Sequence, residues 1–272
     1  HRDLHSFPTR RSSDLEAALH PNLDKLAQEG ILGLSHPISP GITPGSGPSH
    51  LALFGYDPIQ NNIGRGVLEA LGVGLTMTPL DVAARANFAS MDSQGNITDR
   101  RAGRIETARN KELCEKLKII EKIEDVQIII QHGKEHRFVV MFRGEGLTDN
   151  IHDTDPQATG VPPLPVKAQT PADEKMVRIL SRFIEEAHKI LKDSFPANSF
   201  LFRGVAKHPS IPSMAEAFGV NPAAIATYPM YRGLASLVGM KLLETPGEKI
   251  ADEFSALEKH WNEHDLDRKS VV

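Results

Sequence analysis

A serine between two glycines is the first residue in the sequence with the surroundings of a nucleophile. The run Pro44-Gly45-Ser46-Gly47-Pro48-Ser49-His50 leads directly into a segment of helical character that continues to Phe54. Glycines on both sides allow a substrate to approach the backbone, and the N-terminus of a helix favours an anion. The pattern suits a hydroxyl group that handles phosphate, and the simpler alternative is a turn with a serine N-cap.

A local group of basic residues is the second candidate, in a chain whose formal net charge is −4. Arg85 and Asn87 lie two residues apart in a segment with strand periodicity, and Asp99-Arg100-Arg101-Ala102-Gly103-Arg104 follows it. Guanidinium groups bind phosphates and carboxylates through paired hydrogen bonds, so the cluster suits a small, doubly anionic ligand. The alternative is a solvated end of a surface strand.

Three further patterns carry reactive or metal-type side chains and indicate ordinary structure. His152-Asp153-Thr154-Asp155-Pro156-Gln157 lacks a third ligand at fixed spacing, which favours an Asx-turn loop. His260 and His264 are four residues apart without the glutamate of a zinc-protease helix, which favours a solvated helix. Cys114 lies in an amphipathic segment, where inert packing is expected.

The segments that must position these residues alternate between helix and strand patterns, which predicts an α/β fold. Besides the helix after Ser46, the patterns predict helices over residues 21–30, 67–71, 107–119, 171–193, 214–218 and 230–240. They predict strands over residues 82–88, 126–130, 138–142, 200–202 and 224–226. The middle of the chain has the character of a separate insert.

Composition excludes several classes of protein. The chain has 272 residues, 40% hydrophobic and 24% charged, and no apolar run near the roughly 20 residues that span a bilayer. Its net charge of −4 gives no electrostatic reason to expect nucleic acid or an anionic membrane as a partner. One cysteine excludes a disulfide framework and a cysteine-based metal site within one chain. We expect a cytoplasmic protein.

The two ends differ in character from the rest of the chain. Translating a widely used sequencing-adapter DNA gives residues 1–15 in order, and the reverse complement of its last part gives residues 267–272. We therefore expect two non-native tails, the alternative being two natural polar tails. We also expect the natural coding sequence to have been cut at both ends.

Six short runs occur in order along the chain: Pro21-Asn22-Leu23-Asp24-x-Leu26-Ala27, Pro44-Gly45-Ser46, His50-Leu51-Ala52-Leu53-Phe54-Gly55-Tyr56-Asp57-Pro58, Asn87-Phe88-Ala89, Asp99-Arg100-Arg101-Ala102-Gly103-Arg104 and Tyr231-Arg232-Gly233-Leu234. Together they resemble the archaeal-type, cofactor-independent (2,3-bisphosphoglycerate-independent) phosphoglycerate mutases of the alkaline phosphatase superfamily. The resemblance covers nearly all of residues 16–266. It implies an alkaline-phosphatase-like, doubly wound metal domain, partial and split between residues 16–75 and 196–266. An α/β phosphotransferase domain over residues 76–195 would be inserted between the two halves.

The resemblance also implies a reaction. Ser46, activated by two divalent metal ions (Mn or Mg, with Zn or Co as further options), would take the phosphoryl group of 3-phosphoglycerate and return it to form 2-phosphoglycerate. Neither 2,3-bisphosphoglycerate nor a nucleotide is implied. The substrate-binding residues implied are Arg85, Asn87, Asp99, Arg100, Arg101, Arg104 and Arg232.

Two departures from the family pattern affect this expectation. The other metal ligands of the family would precede residue 16 and follow residue 266, which leaves Ser46 alone. We therefore expect this chain to bind metal poorly and to be inactive. Gln157 also stands where the family often has histidine, and His20 where threonine is common.

Two other functions stay open: a homoserine-kinase-like or other phosphotransferase paralogue, and a non-catalytic fragment that binds phosphate. The expected partner is a small-molecule phosphoglycerate, and the oligomeric state is open.

Overall fold

The structure, a computed structural model, describes residues 19–33, 36, 38–40, 45–61 and 63–269, with only the backbone for 266–269. The chain divides into two units, residues 1–42 and residues 43–272. In the first unit, helix α1 (Pro21–Glu29) begins with proline and is followed by Gly30, as the sequence predicts. The predicted tail over residues 1–15 lies outside the described residues.

The second unit contains the other described elements. Its strands are β1 (Asp81–Met91), β2 (Ile97–Asp99), β3 (Lys122–Ile123), β4 (Val126–His132), β5 (Arg137–Arg143), β6 (Ser199–Lys207), β7 (Pro222–Ile225), β8 (Lys241–Leu242) and β9 (Leu266–Lys269). Its α-helices are α2 (Ser46–Leu53), α3 (Arg65–Gly72), α4 (Thr107–Leu117), α5 (Glu174–Leu191), α6 (Met214–Phe218), α7 (Pro229–Leu237) and α8 (Ile250–His260). Two short 3₁₀ segments cover Ala102–Arg104 and Pro171–Asp173.

The strands form two sheets of different type. Strands β2-β1-β5-β4-β3 form an antiparallel sheet in that order, and β6 is its sixth strand, antiparallel to β1. Strands β8-β7-β9 form a smaller, parallel sheet. The mixed α/β class predicted from the sequence is therefore confirmed, with a mostly antiparallel main sheet. No helix in the described part of the chain is long and apolar enough to cross a membrane.

One face of the six-stranded sheet carries the main hydrophobic core, because side chains of a strand point alternately to its two faces. Val82, Ala84, Ala86 and Phe88 of β1 are fully buried on this face. Helices α4 and α5 cover them with their apolar sides, which include Leu113 and Phe183 among other buried residues. Helix α5 follows a capping box formed by Thr170 and Asp173, close to the start that the sequence predicts.

The opposite face of the same sheet contacts helix α3. Ala83 of β1 and Val139 of β5 pack there with Ala70 of α3. The backbones approach closely: a Cβ added at Gly66 would lie 2.7 Å from the Gly204 carbonyl oxygen. On its other side α3 packs against α7, so α3 lies between the main sheet and the helices of the smaller sheet.

The main sheet continues beyond residue 195, the predicted end of the inserted domain, because β6 pairs with β1 from Val82 to Ala89. The sequence of β6 alone does not reveal this, because a strand partner more than 100 residues away leaves no local pattern. The rest of the domain division stays a prediction. Residues 267–269, predicted to be non-native, form most of β9 beside β7; their origin also stays a prediction.

Candidate functional site

Arginine side chains meet on the sheet face that contacts α3. The antiparallel register sets Arg85 of β1 opposite Arg203 of β6, and Asn87 opposite Arg137 of β5. Directly opposed residues point to the same face, so these side chains share one surface. Arg65, the first residue of α3, is close enough to act electrostatically on Arg85. We call Arg65, Arg85, Arg137 and Arg203 the arginine cluster.

The arginine cluster is electrostatically crowded. The pKa of Arg85 is lowered to about 10, chiefly by burial and also by the other three arginines of the cluster, while Glu69 opposes the shift. The pKa of Arg203 is also lowered, by burial and then by Arg65. Among the described residues, the buried atoms Arg85 Nε and Asn87 Oδ1 have no hydrogen-bond partner. Because buried polar groups are rarely left unpaired, these atoms mark a place for a ligand or water.

A strained loop carries two more of the predicted arginines. Asp99 holds the loop because its two carboxylate oxygens accept hydrogen bonds from the Arg101 and Gly103 amides, at 2.8 and 2.7 Å. Ala102, Gly103 and Arg104 have φ of 47°, 64° and 54°, a left-handed run that costs non-glycine residues about 1–2 kcal/mol each. Ala102 is buried, whereas Arg101 and Arg104 are exposed.

His136 is affected electrostatically by the arginine cluster and by the two arginines of the strained loop, Arg101 and Arg104. Its side chain is buried, and its pKa falls to about 4 because of burial first, and then because of Arg137, Arg101, Arg104 and Arg85. The imidazole is therefore neutral at physiological pH. Arg101 and Arg104 act on the same buried group as Arg85 and Arg137, which makes the loop and the arginine cluster one electropositive region.

Helix α4 fixes the turn that presents His136 and Arg137. The buried Asn110 side chain donates to the carbonyl oxygens of Glu135, at 2.6 Å, and of Arg137. The Thr107 hydroxyl accepts a hydrogen bond from the Glu135 amide at 3.1 Å. These bonds hold Glu135 at a φ of 54°, an uncommon conformation for this residue type.

Three of the predicted site residues form hydrogen bonds or ion pairs with other residues of the chain. Arg100 forms two hydrogen bonds of 2.8 and 2.7 Å to Asp155, whose side chain is 1% exposed. Asp99 shapes the arginine loop. Arg232 donates to the Ala226 carbonyl oxygen at 3.3 Å and lies 3.7 Å from a carboxylate oxygen of Glu244. A direct contact of any of the three with substrate stays a prediction.

Ser46 is the exposed first residue of α2, whereas Pro44 before it lies outside the described residues. His50 Nδ1 bonds to the Ser46 carbonyl oxygen at 2.6 Å, and the His50 ring stacks on Tyr231 at a centroid distance of 4.9 Å. The Tyr231 ring lies 5.6 Å from that of Tyr228, whose hydroxyl accepts a hydrogen bond from Arg137. A chain of side-chain contacts thus connects the Ser46 helix to the arginine cluster.

The described residues do not fit a two-metal centre by themselves. Across residues 19–269, wherever the chain is described, no three His, Cys, Asp or Glu side chains meet in a way that could hold a metal ion. Helix α2 has no acidic residue in its first turn beside Ser46.

The remaining sequence patterns have structural partners. Asp153 accepts a hydrogen bond from the Gly204 amide at 2.6 Å, and Asp155 accepts one from Gln157 at 2.9 Å, as an Asx-turn loop requires. Cys114 is buried, which raises the pKa of its thiol to about 12, consistent with inert packing. Helix α8 ends at His260, so the predicted helix does not extend to His264.

Sequence reasoning missed half of the site. Arg65, Arg137 and Arg203 were not among the predicted residues, and neither was Glu69. Arg137 and Arg203 stand at strand positions next to buried phenylalanines. This alternation indicates that the two arginines lie on the sheet face opposite the aromatic core. Their convergence on Arg85, however, depends on the pairing register of three strands.

Comparison with known proteins gives a consistent result. A family model described as 2,3-bisphosphoglycerate-independent phosphoglycerate mutase matches residues 27–198. A relative from Thermus thermophilus, named a probable enzyme of that kind, is 50% identical over 257 residues, which cover 93% of this chain and 63% of the relative. A similarly named relative from Thermotoga petrophila is 49% identical over 264 residues, covering 97% of this chain and 65% of the relative.

A solved structure is also similar to this chain. The cofactor-independent phosphoglycerate mutase from Thermoplasma acidophilum superimposes with a TM-score of 0.65 at 33% identity, covering 95% of this chain and 71% of that one. The chain thus spans 63–65% of the length of these two curated relatives.

Proposed function

The chain belongs to the 2,3-bisphosphoglycerate-independent phosphoglycerate mutase family, and on this premise we propose that it carries the substrate-binding part of an enzyme that interconverts 3-phosphoglycerate and 2-phosphoglycerate. The reaction is a step of glycolysis and gluconeogenesis and needs neither 2,3-bisphosphoglycerate nor a nucleotide. The expected location is therefore the cytoplasm.

The observation that carries this proposal is the convergence of arginines in a chain of net charge −4. 3-Phosphoglycerate has a phosphate of about −1.5 to −2 charge at one end and a carboxylate at the other. The arginine cluster and the pair Arg101 and Arg104 supply cations for two such ends within one electropositive region. An anion that relieves the crowding of the guanidinium groups gains binding free energy that a neutral sugar or alcohol does not.

Ser46 is proposed as the residue that carries the phosphoryl group between the two positions of the glycerate. Its place at the start of α2 puts its hydroxyl in a field that favours a phosphate. The family resemblance assigns it two divalent metal ions, Mn or Mg, with Zn or Co as further options. Because the described residues provide no further cluster of ligands for them, we expect the 272-residue chain to be inactive.

The domain organisation is part of the proposal. The parallel sheet β8-β7-β9, with α2, α7 and α8 around it, would be a partial alkaline-phosphatase-like, doubly wound sheet. The antiparallel sheet with α4 and α5 would be the inserted phosphotransferase domain, extended to Lys207 by β6.

Calorimetric titration of the 272-residue chain with 3-phosphoglycerate tests the binding part. Replacing Arg85 by glutamine removes charge-assisted hydrogen bonds of about 1.5–3 kcal/mol, which corresponds to roughly a 10- to 100-fold loss of affinity. Arg178→Gln is the matched control, because Arg178 is exposed and pairs with Glu124 at 2.8 Å on the outside of α5. Equal affinity of the two variants, or no binding to the unchanged chain, contradicts the proposal.

Turnover requires a longer protein, for example this chain extended with the corresponding segments of the Thermus thermophilus relative. We expect such a protein to act as a mutase without nucleotide and Ser46→Ala to abolish turnover. Activity that depends on ATP and homoserine would instead identify a homoserine-kinase-like paralogue. Phosphoglycerate binding without any turnover would identify a phosphate-binding fragment.

A further inference from the structure

A buried carboxylate lies among the arginines of the proposed anion site. Glu69 stands on α3 and is 3% exposed. Arg85 and Arg137 both act on its carboxylate, and Glu69 in turn raises the pKa of Tyr228. A Cβ added at Gly133 would lie 3.1 Å from Glu69 Oε1, so the carboxylate reaches the turn between β4 and β5.

The carboxylate is near cations but is not neutralised by any one of them. Within the described residues, Glu69 makes no ion pair within 4.0 Å and no hydrogen bond. Burial raises its pKa, and the attraction of Arg85 and Arg137 offsets only part of that effect. Among carboxylates, it acts most strongly to favour the charged form of Arg85. An acidic residue in this place is unexpected, since it repels the anion that the arginines attract.

Glu69 cannot withdraw by movement of its helix, because α3 has backbone contacts on both sides. At Gly66 an added Cβ would lie 2.5 Å from the Ala83 carbonyl carbon, and at Gly233 of α7 it would lie 2.8 Å from that of Leu68. The backbone of α3 is therefore held at contact distance between β1 and α7. The backbone of Glu69 therefore cannot move away from a ligand on the arginine cluster.

We propose that Glu69 is a positioning residue of the anion site that takes up one proton from solvent when a phosphate ester binds to the arginine cluster. The inference rests on the proposed function. Without ligand, the carboxylate is the counter-charge that keeps Arg85 and Arg137 charged and oriented. With ligand, the phosphate or carboxylate of the substrate takes that role, and the uncharged acid form of Glu69 removes the repulsion. Only the proton moves, and no other bond forms or breaks.

Charged and titratable groups around α3 contribute to this linkage: Arg85 on β1, Arg137 on β5, Arg203 on β6, Arg65 on α3 itself, Tyr228 before α7 and His136 in the turn before β5. The four arginines stay cationic in the neutral pH range, and the pKa of Tyr228 is raised above its ordinary value of 10.0. An anion on the arginine cluster therefore acts on the charge of Glu69 and of His136, and the variant Glu69→Gln removes only the first.

The sign of the pH dependence follows from linkage. Because the ligand raises the pKa of Glu69 above its value in the free protein, affinity falls as pH rises between the two values, by at most about tenfold per pH unit. In Glu69→Gln this contribution is absent, and the remaining pH dependence comes from His136 and from the phosphate of the ligand, whose second pKa is about 6.

Calorimetry with 3-phosphoglycerate at about pH 6, 7 and 8, in buffers of different ionisation heat, measures the protons taken up on binding. At one or more of these pH values, we expect the unchanged chain to take up more protons on binding than Glu69→Gln does. The difference should be at most one proton per ligand bound. Glu253→Gln is the matched control, because Glu253 is 4% exposed on α8, with the Thr227 hydroxyl 3.3 Å away. Its proton uptake should equal that of the unchanged chain.

The outcomes separate the two proposals. Binding with equal proton uptake in the unchanged chain and in Glu69→Gln overturns the role of Glu69 and leaves the proposed function intact. Absence of binding to the unchanged chain overturns both. If Glu69→Gln does not fold, NMR titration of ¹³C-labelled glutamate carboxyl groups with and without 3-phosphoglycerate decides, since a Glu69 titration midpoint that the ligand leaves unchanged contradicts the inference.

Discussion

Replacing Gly233 by alanine should destabilise the protein through the contact between α7 and α3. The added methyl group would overlap the Leu68 carbonyl oxygen and would lie 2.8 Å from the Leu68 carbonyl carbon and 3.0 Å from the Gly72 amide nitrogen. Ordinary carbon contacts are about 3.5–4.0 Å, so the two helices must separate by at least about 1 Å. Backbone atoms of a helix cannot move aside as the end of a flexible side chain can.

The expected magnitude is a balance of two effects. Overpacking of a close-packed interior costs about 1–3 kcal/mol, and backbone neighbours favour the upper part of that range. Alanine gains about 1 kcal/mol over glycine in a helix through its intrinsic propensity. The free energy of unfolding should therefore fall by about 2 kcal/mol, measured by urea denaturation with an unchanged m-value.

The control for this experiment is Gly33→Ala, because an added Cβ there has no atom within 4 Å. Its effect should stay within about 0.5 kcal/mol. If Gly233→Ala is as stable as the unchanged chain, α3 and α7 do not pack at this distance. The backbone of Glu69 is then not held in place between β1 and α7.

Three further predictions concern single side chains. Asn110→Ala leaves the Glu135 carbonyl oxygen without this donor, whereas the Arg137 carbonyl oxygen keeps the Gly133 amide at 2.9 Å. Urea denaturation should therefore show a loss of about 1–3 kcal/mol, and a loss below about 0.5 kcal/mol contradicts it. The pKa of His136 is lowered to about 4 in the folded protein, so between about pH 4 and 6.5 the imidazole binds a proton in the unfolded chain but not in the folded one. The free energy of unfolding should therefore rise with pH in this range. His136→Asn should make this rise smaller, and an unchanged rise excludes His136 as its source. The Cys114 thiol, with its pKa raised to about 12, should resist alkylation at about pH 8 in the native protein and react in urea, and rapid native alkylation contradicts its burial.

The local parts of the site could be predicted from the sequence, because their signals lie within a few residues. Arg85 and Asn87 stand in a segment whose alternation with Val82, Ala84 and Ala86 indicates a strand with one apolar face. The helix after Ser46 follows from the glycine and proline residues before it. The capped start of α5 likewise follows from Thr170 and Pro171.

The long-range parts could not be predicted, because they depend on which segments pair. Arg100 and Arg101 are adjacent and alike in sequence, yet only Arg100 is bound by Asp155, which lies 55 residues away. The pairing of β6 with β1 could not be predicted for the same reason, since the two strands are far apart in the chain. Glu69 was overlooked because nothing near it in sequence distinguishes a buried glutamate from an exposed helical one.

The two-faced character of β1 limits which changes in length the protein tolerates. Its phenylalanine face and its arginine face alternate residue by residue, so inserting or deleting one residue within β1 would exchange them. Arg85 would then enter the aromatic core, and Phe88 would face α3. A change of two residues keeps the faces and moves only the register. Insertions and deletions among natural relatives should therefore collect in the turn at residues 92–96 and not in the turn at 133–136, which Asn110 and Thr107 hold in place.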